Sequence, residues 1–332
     1  MNQMLPRPRF WAQAAAQMRP RFTLLGETLI LMLLYMISNT VAGTVMCVPI
    51  LAWLLSTQST MILESLNAGV ATQEILKRLL EQIPDWMSVV ALFATAGAVG
   101  FTVIFYCRKF QKRSLASMGL QGERAFGEYL LGIVVGLFLF GCVVAVGTAA
   151  GGFRLGSWTL DTTRLLLTLA ALIGCAAQGA ALELMYRGYF APTLGARYPA
   201  ALALFSSTLC FAMLESGGAL LSMNMLNTLL LSLLLGIWVI KRGRLWGACA
   251  IHAAWTFAGN FLLNFAPADQ HGSLGLLSVD TDAYRTLITG GDYGPAASIC
   301  ATVVLLAAIG LVLALPSRDP APAQADPAPE EQ

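Results

Sequence analysis

The chain has 332 residues, 57% hydrophobic and 11% charged, with a formal net charge of +2. Soluble globular chains carry roughly 45–50% apolar and about 25% charged residues, so a single aqueous core is excluded and most of the apolar surface must face lipid or other helices. The small net charge gives no reason to expect a nucleic-acid partner. The fold class this composition points to is all-α, a polytopic membrane helix bundle in contact with the lipid bilayer.

The basic stretch 1–22 carries Arg7, Arg9, Arg19 and Arg21. It leads into an apolar run too long for a secretory signal core and without a clear cleavage site. A transmembrane domain is expected over 23–317. A span needs roughly 20 apolar residues, and backbone in hydrocarbon satisfies its polar groups only by staying helical. Charge-free runs of that order lie at Thr28–Leu55, Trp86–Cys107, Leu130–Phe153, Leu165–Leu182, Tyr198–Leu214, Ser216–Ile240, Leu245–Ala268 and Tyr293–Ser317, which predicts about eight spans. In the loop after the first, Thr72 is placed to cap a short helix. Ile75, Leu76, Leu79, Leu80 and Ile83 would line one face of it, with Glu74–Arg78 and Lys77–Glu81 ion pairs on the other and Pro84 at its end. That pattern suits a helix lying at the membrane interface. Residues 318–332, rich in Pro and Ala with an acidic end, read as a disordered tail.

Eight spans sort the loops by charge. Fifteen of the 20 Lys and Arg residues fall on one side, leaving Lys77, Arg78, Arg154, Arg164 and Arg285 on the other. Positive residues stay cytoplasmic, so the N- and C-termini are both expected to be cytoplasmic, in an inner (plasma) membrane of bacterial type. The seven cysteines all lie in apolar runs without paired spacing and read as small buried hydrophobes.

Ionisable groups inside a bilayer are costly and point to function. Glu183 and Arg187, four apart in Leu182-Glu183-Leu-Met-Tyr-Arg187-Gly188, share a helix face and taken alone read first as an ion pair that orients the span, with site residues as the other reading. Glu215 closes Phe211-Ala-Met-Leu-Glu215, where a helix end could simply reach water. His252 lies seven residues into the seventh run; His271 falls in an outer loop and is uninformative. At 1.5 Å per residue, Glu183 and His252 come ~10 Å from the basic side and Glu215 ~24 Å. Three helices could therefore bring these groups into one polar cavity, provided tilt and side-chain length close the gap.

In this order the elements resemble the CPBP family of intramembrane proteases, which includes the CAAX prenyl-protein endopeptidases and is also called the Abi family. Its pattern is Glu-Glu-x-x-x-Arg, Phe-x-x-x-His and His-x-x-x-Asn on separate helices. The counterparts here are Leu182-Glu183-x-x-x-Arg187, Phe211-x-x-x-Glu215 and His252-x-x-x-Thr256, supported by Lys241–Trp246 and Gly290–Pro295, with the motif region at about 163–268. The resemblance implies a general base at the first Glu, with the two histidines and the Asn shaping the site or holding a metal. Leu182, Glu215 and Thr256 replace three of those positions. The resemblance therefore implies an endopeptidase homologue that has lost its base and acts as a pseudoprotease on a membrane partner. An active enzyme using Glu183 or Glu215 as base, with Arg187 and His252 and with zinc on Glu183, Glu215 and His252 if a metal is used, is the alternative for a membrane-protein or membrane-peptide substrate. A small transporter or lipid-handling protein is a third reading.

Overall fold

The computed structural model describes residues 6–18, 22–217, 221–267, 275–282 and 284–318. Arg19, Arg21, Gly218, Ala268, His271 and the tail beyond Arg318 lie outside the described residues, as do the side chains of Leu80 and Glu81 and hence the Lys77–Glu81 pair.

Among the described residues the chain runs through α1 (Arg9–Gln17), α2 (Leu24–Asn67), α3 (Thr72–Glu81), α4 (Asp85–Lys109), α5 (Ala125–Ala149), β1 (Phe153–Trp158), α6 (Thr162–Gly195), α7 (Ala200–Glu215), α8 (Met223–Arg242), α9 (Trp246–Phe257), β2 (Leu263–Pro267), β3 (Leu277–Thr281) and α10 (Ile299–Ala314). Five of these, α2, α4, α5, α6 and α8, are long and apolar enough to cross a membrane, while α7 and α10 are shorter apolar helices. The chain is thus a helical membrane protein.

Two of the spans read from sequence end differently. The seventh run stays helical only to a π turn at Ala258–Leu262 and then becomes β2; the eighth starts at Ile299, after a loop through Gly290–Pro295. The all-α reading also needs correction, because β1, β3 and β2 form a three-stranded sheet in that order, β1 antiparallel and β2 parallel to β3. These segments sit at span ends, where backbone leaving a helix must find other partners. Leu263 pairs with Leu277 and Phe153 with Thr281. Phe153 and Phe265 meet in a tilted contact, ring centroids 5.6 Å apart, and Phe265 packs edge-on to Phe140 of α5, so the sheet is pinned to the bundle by aromatic contact.

Expected details of the loop after the first span hold in part. Glu74 pairs with Arg78 at 3.2 Å, but Thr72 is the first helical residue, the turn opening at the Ala71 carbonyl. The apolar face of α3 borders a cavity of about 390 Å³ lined by Ile50, Trp53, Leu76, Leu79, Ile83 and Met87. All seven cysteines are free thiols.

The opposite end of the bundle gathers the basic residues. Arg7 and Arg197 donate to the carbonyls of Tyr198 and Phe22, Arg242 grips Glu128 at 2.6 and 3.0 Å, and Lys241 donates to the Leu315 carbonyl at the end of α10. Gly243, with φ of 72°, ends α8 in the left-handed conformation and turns the chain directly into α9.

What positions the centre is close helix packing. With no hydrophobic drive between helices in lipid, small residues at the contact let backbones approach. Gly132 and Gly136, one turn apart on α5, abut α9: a Cβ at Gly136 would come within 2.7 Å of the Ile251 carbonyl oxygen and of the Ala254 Cβ. On the other side, a Cβ at Gly179 of α6 would stand 3.0 Å from the Ala253 nitrogen and 3.1 Å from the Cys249 carbonyl oxygen. α9 is thereby clamped between α5 and α6, with His252 turned toward α6.

Candidate functional site

α6 runs regularly to Glu183 and then widens into a π turn over Leu184–Phe190, which carries Tyr186 and Arg187. π turns inside helices are rare and frequent at functional sites. Glu183 is 0% exposed and Arg187 2%. Arg187 Nη1 donates to Glu183 Oε1 at 3.0 Å, while its Nη2 donates to the Ser232 carbonyl and Oγ at 2.7 and 2.6 Å. The guanidinium also lies 4.7 Å from the Phe211 ring centroid, a cation–π distance.

His252, 8% exposed, closes the cluster from α9, its Nδ1 3.0 Å from the same Glu183 oxygen. Phe211 packs edge-on to the imidazole at 5.7 Å. Glu183 Oε2 is buried and has no hydrogen-bond partner.

Glu215 joins at one remove. Its Oε1 accepts from the Tyr186 hydroxyl at 3.0 Å, and it lies within electrostatic reach of His252 and Arg187. The Tyr186 hydroxyl thus links Glu215 to the helix that carries Glu183 and Arg187. α2 contributes as well, Tyr35 donating to the Leu214 carbonyl at 2.9 Å next to Glu215. Leu182, 6% exposed, packs in the apolar core beside Glu183, and Thr256 is half-buried one turn beyond His252.

The structure therefore brings Glu183, Arg187 and His252 into direct contact and ties Glu215 to them through Tyr186. It does not arrange Glu183, Glu215 and His252 as metal ligands: among the described residues no three His, Cys, Asp or Glu side chains form such a group. One oxygen of Glu183 is already shared by a guanidinium and an imidazole, and a catalytic zinc needs about three protein donors pointed at one centre. The donor set does not fit zinc.

Sequence reasoning missed Tyr186, Ser232, Ser207 and Tyr35. Ser207 Oγ donates to the Tyr186 carbonyl at 2.9 Å, where the π turn disturbs regular helix bonding. Ser232 was marked only by being a hydroxyl in the run Leu229–Leu235, and Tyr186 only by standing inside the Glu183–Arg187 interval.

Residues 163–258 match the family described as type II CAAX prenyl endopeptidase, Rce1-like, less than a third of the chain. The stretch includes Glu183, Arg187, Phe211, Glu215 and His252 and leaves out Gly290–Pro295. No curated protein and no solved structure matches the chain.

Proposed function

We propose, from the premise that residues 163–258 are those of an Rce1-like CAAX endopeptidase of the CPBP family, that this chain is a pseudoprotease: an intramembrane endopeptidase homologue that engages a membrane protein or peptide without cleaving it. In this proposal the chain crosses a bacterial inner membrane eight times, with the basic end and both termini cytoplasmic.

The observation that carries the reading is the state of Glu183. Its carboxylate is fully enclosed, and one oxygen is held by both Arg187 and His252. A general base must reach a water at hydrogen-bond distance and be free to take its proton. Glu183 holds helices together instead, and the neighbouring position that the family resemblance marks for the base is Leu182, which has no proton-accepting atom. Glu215 is engaged by Tyr186.

One observation favours the alternative of an active endopeptidase: Glu183 Oε2 has no partner and could hold a water that entered the cluster.

The deciding experiment is cleavage of a prenylated membrane-peptide reporter by the full chain in proteoliposomes. The pseudoprotease reading expects no cleavage by the native chain, and activity in the triple variant Leu182→Glu, Glu215→His, Thr256→Asn. Native cleavage that disappears in Glu183→Ala, Glu215→Ala and His252→Ala would overturn it. Uptake of solute into the liposomes by the native chain would move the assignment to a transporter.

A further inference from the structure

The basic end of the bundle contains two cavities that the Glu183 cluster does not use. The first, about 450 Å³, has an apolar wall that includes Phe22, Ile30 and Phe110 and a single acid, Glu27. The second, about 720 Å³, is lined by Arg108, Lys109, Lys112 and Arg113. Gln17 and Lys112 line both, so the two meet there.

Charges of opposite sign face these cavities without neutralising each other. Glu27 is 4% exposed, and its hydrogen bond is a long one from the Tyr189 hydroxyl at 3.5 Å. Arg113 is 2% exposed and donates to neutral acceptors, the carbonyls of Ser117 and Gly188 at 2.6 and 2.8 Å, which satisfy its N–H groups and leave its charge uncompensated. Among the described residues, no ion pair includes Glu27, Arg108, Lys109, Lys112 or Arg113. Buried charges are ordinarily paired. Lys112 moreover holds a left-handed backbone, φ 55°, uncommon for a residue with a side chain. The loop bearing it is fixed to α1 by the reciprocal bonds between Gln17 and Ser114 at 2.8 and 3.2 Å.

A ligand suited to both cavities carries an anion and a hydrogen-bonding cation on one short chain, next to apolar tails. We propose that this paired cavity is a binding site for a phospholipid with a phosphoethanolamine headgroup, its phosphate against Arg108 and Lys112, its primary ammonium on Glu27 and the start of an acyl chain along Phe22, Ile30 and Phe110. Basic pockets between helices at a membrane face are suited to lipid headgroups. The carboxylate adds selectivity: a trimethylammonium cannot donate a hydrogen bond to Glu27, and a glycerol headgroup brings no positive charge.

The test titrates the full chain in detergent with dioctanoyl-phosphatidylethanolamine, -phosphatidylcholine and -phosphatidylglycerol, reading bound lipid by native mass spectrometry. A charge-assisted hydrogen bond corresponds to about tenfold or more in affinity, so the ethanolamine lipid should bind about tenfold tighter than either of the others. Glu27→Gln should bring it to within about twofold of the choline lipid, and Arg108→Ala with Lys112→Ala should weaken all three. Equal binding of ethanolamine and choline lipids, or tighter binding of the glycerol lipid, overturns the proposal with the native chain alone, whether or not the variants fold. An ethanolamine preference that survives Glu27→Gln, or lipid affinity that the charge removals leave unchanged, places the lipid elsewhere and overturns it equally.

Discussion

Replacing Arg187 by Met keeps much of the side-chain volume and removes the charge. In the native protein the guanidinium makes three hydrogen bonds of 2.6–3.0 Å, one to Glu183 and two to Ser232, and packs on Phe211. Without it, Glu183 remains fully enclosed with His252 as its single partner, and the Ser232 carbonyl loses a donor. Breaking a buried pair from one side costs about 3–5 kcal/mol, because the surviving charge is stranded, whereas replacing both partners with neutral groups of similar size is often nearly neutral. Arg187→Met should therefore lower the unfolding free energy by about 3–5 kcal/mol. Adding Glu183→Gln should recover a large part of that loss, a coupling of roughly 2–3 kcal/mol. The assay is reversible unfolding of the full chain in mixed micelles titrated with dodecyl sulfate, for the native protein, both single variants and the double variant. A loss below about 1 kcal/mol for Arg187→Met, or losses that simply add, would refute the picture of a desolvated, mutually dependent pair.

Other expectations follow from the same packing. Gly179→Ala puts a Cβ 3.0–3.1 Å from the α9 backbone, where neither atom can swing aside; it should cost about 1–3 kcal/mol in the same unfolding assay. Tyr186→Phe removes the donor to Glu215 and should cost about 1–3 kcal/mol, a loss that Glu215→Gln in the same chain partly reverses. Glu128→Gln should destabilise by about 3 kcal/mol through the stranded Arg242, with no effect on the Glu183 cluster; an effect below about 0.5 kcal/mol, the value of an exposed pair, would show the Glu128 pair to be solvated.

The bundle was legible because lipid imposes a coarse rule: long charge-free runs with basic residues sorted to one side. That rule located the helices and the polar exceptions Glu183, Glu215 and His252. It did not locate β1, β2 and β3, whose residues Phe153 and Leu263–Pro267 continue apolar runs and differ from them only in what the backbone pairs with. Nor could it fix the site's geometry. That Glu183 and His252 meet depends on Gly179 and Gly136 admitting α9 closely, and composition records a glycine without recording what approaches it. That Glu215 connects at all depends on Tyr186, whose place in the π turn is a tertiary outcome: helical spacing alone gives no reason for the chain to widen at Leu184.

The departures from the family pattern also balance in charge, and this leads to a prediction about their order. Position 182 lacks the acid that the pattern carries there, while position 215 has an acid where the pattern has a histidine. The number of carboxylates around Arg187 is therefore unchanged, at two. Restoring Glu at 182 alone would place a third carboxylate at a position 6% exposed, next to a Glu183 whose one guanidinium is already committed. Burying an unpaired carboxylate costs several kcal/mol, so Leu182→Glu alone should reduce the yield of folded chain sharply. Glu215→His introduced first removes one acid and adds a group that can carry positive charge, and the Tyr186 hydroxyl can donate to the new imidazole. Leu182→Glu should be tolerated better in that background than in the native one, by about 1–3 kcal/mol in a double-mutant cycle. If Leu182→Glu destabilises both backgrounds equally, positions 182 and 215 do not share an electrostatic environment, and the two departures arose independently of charge.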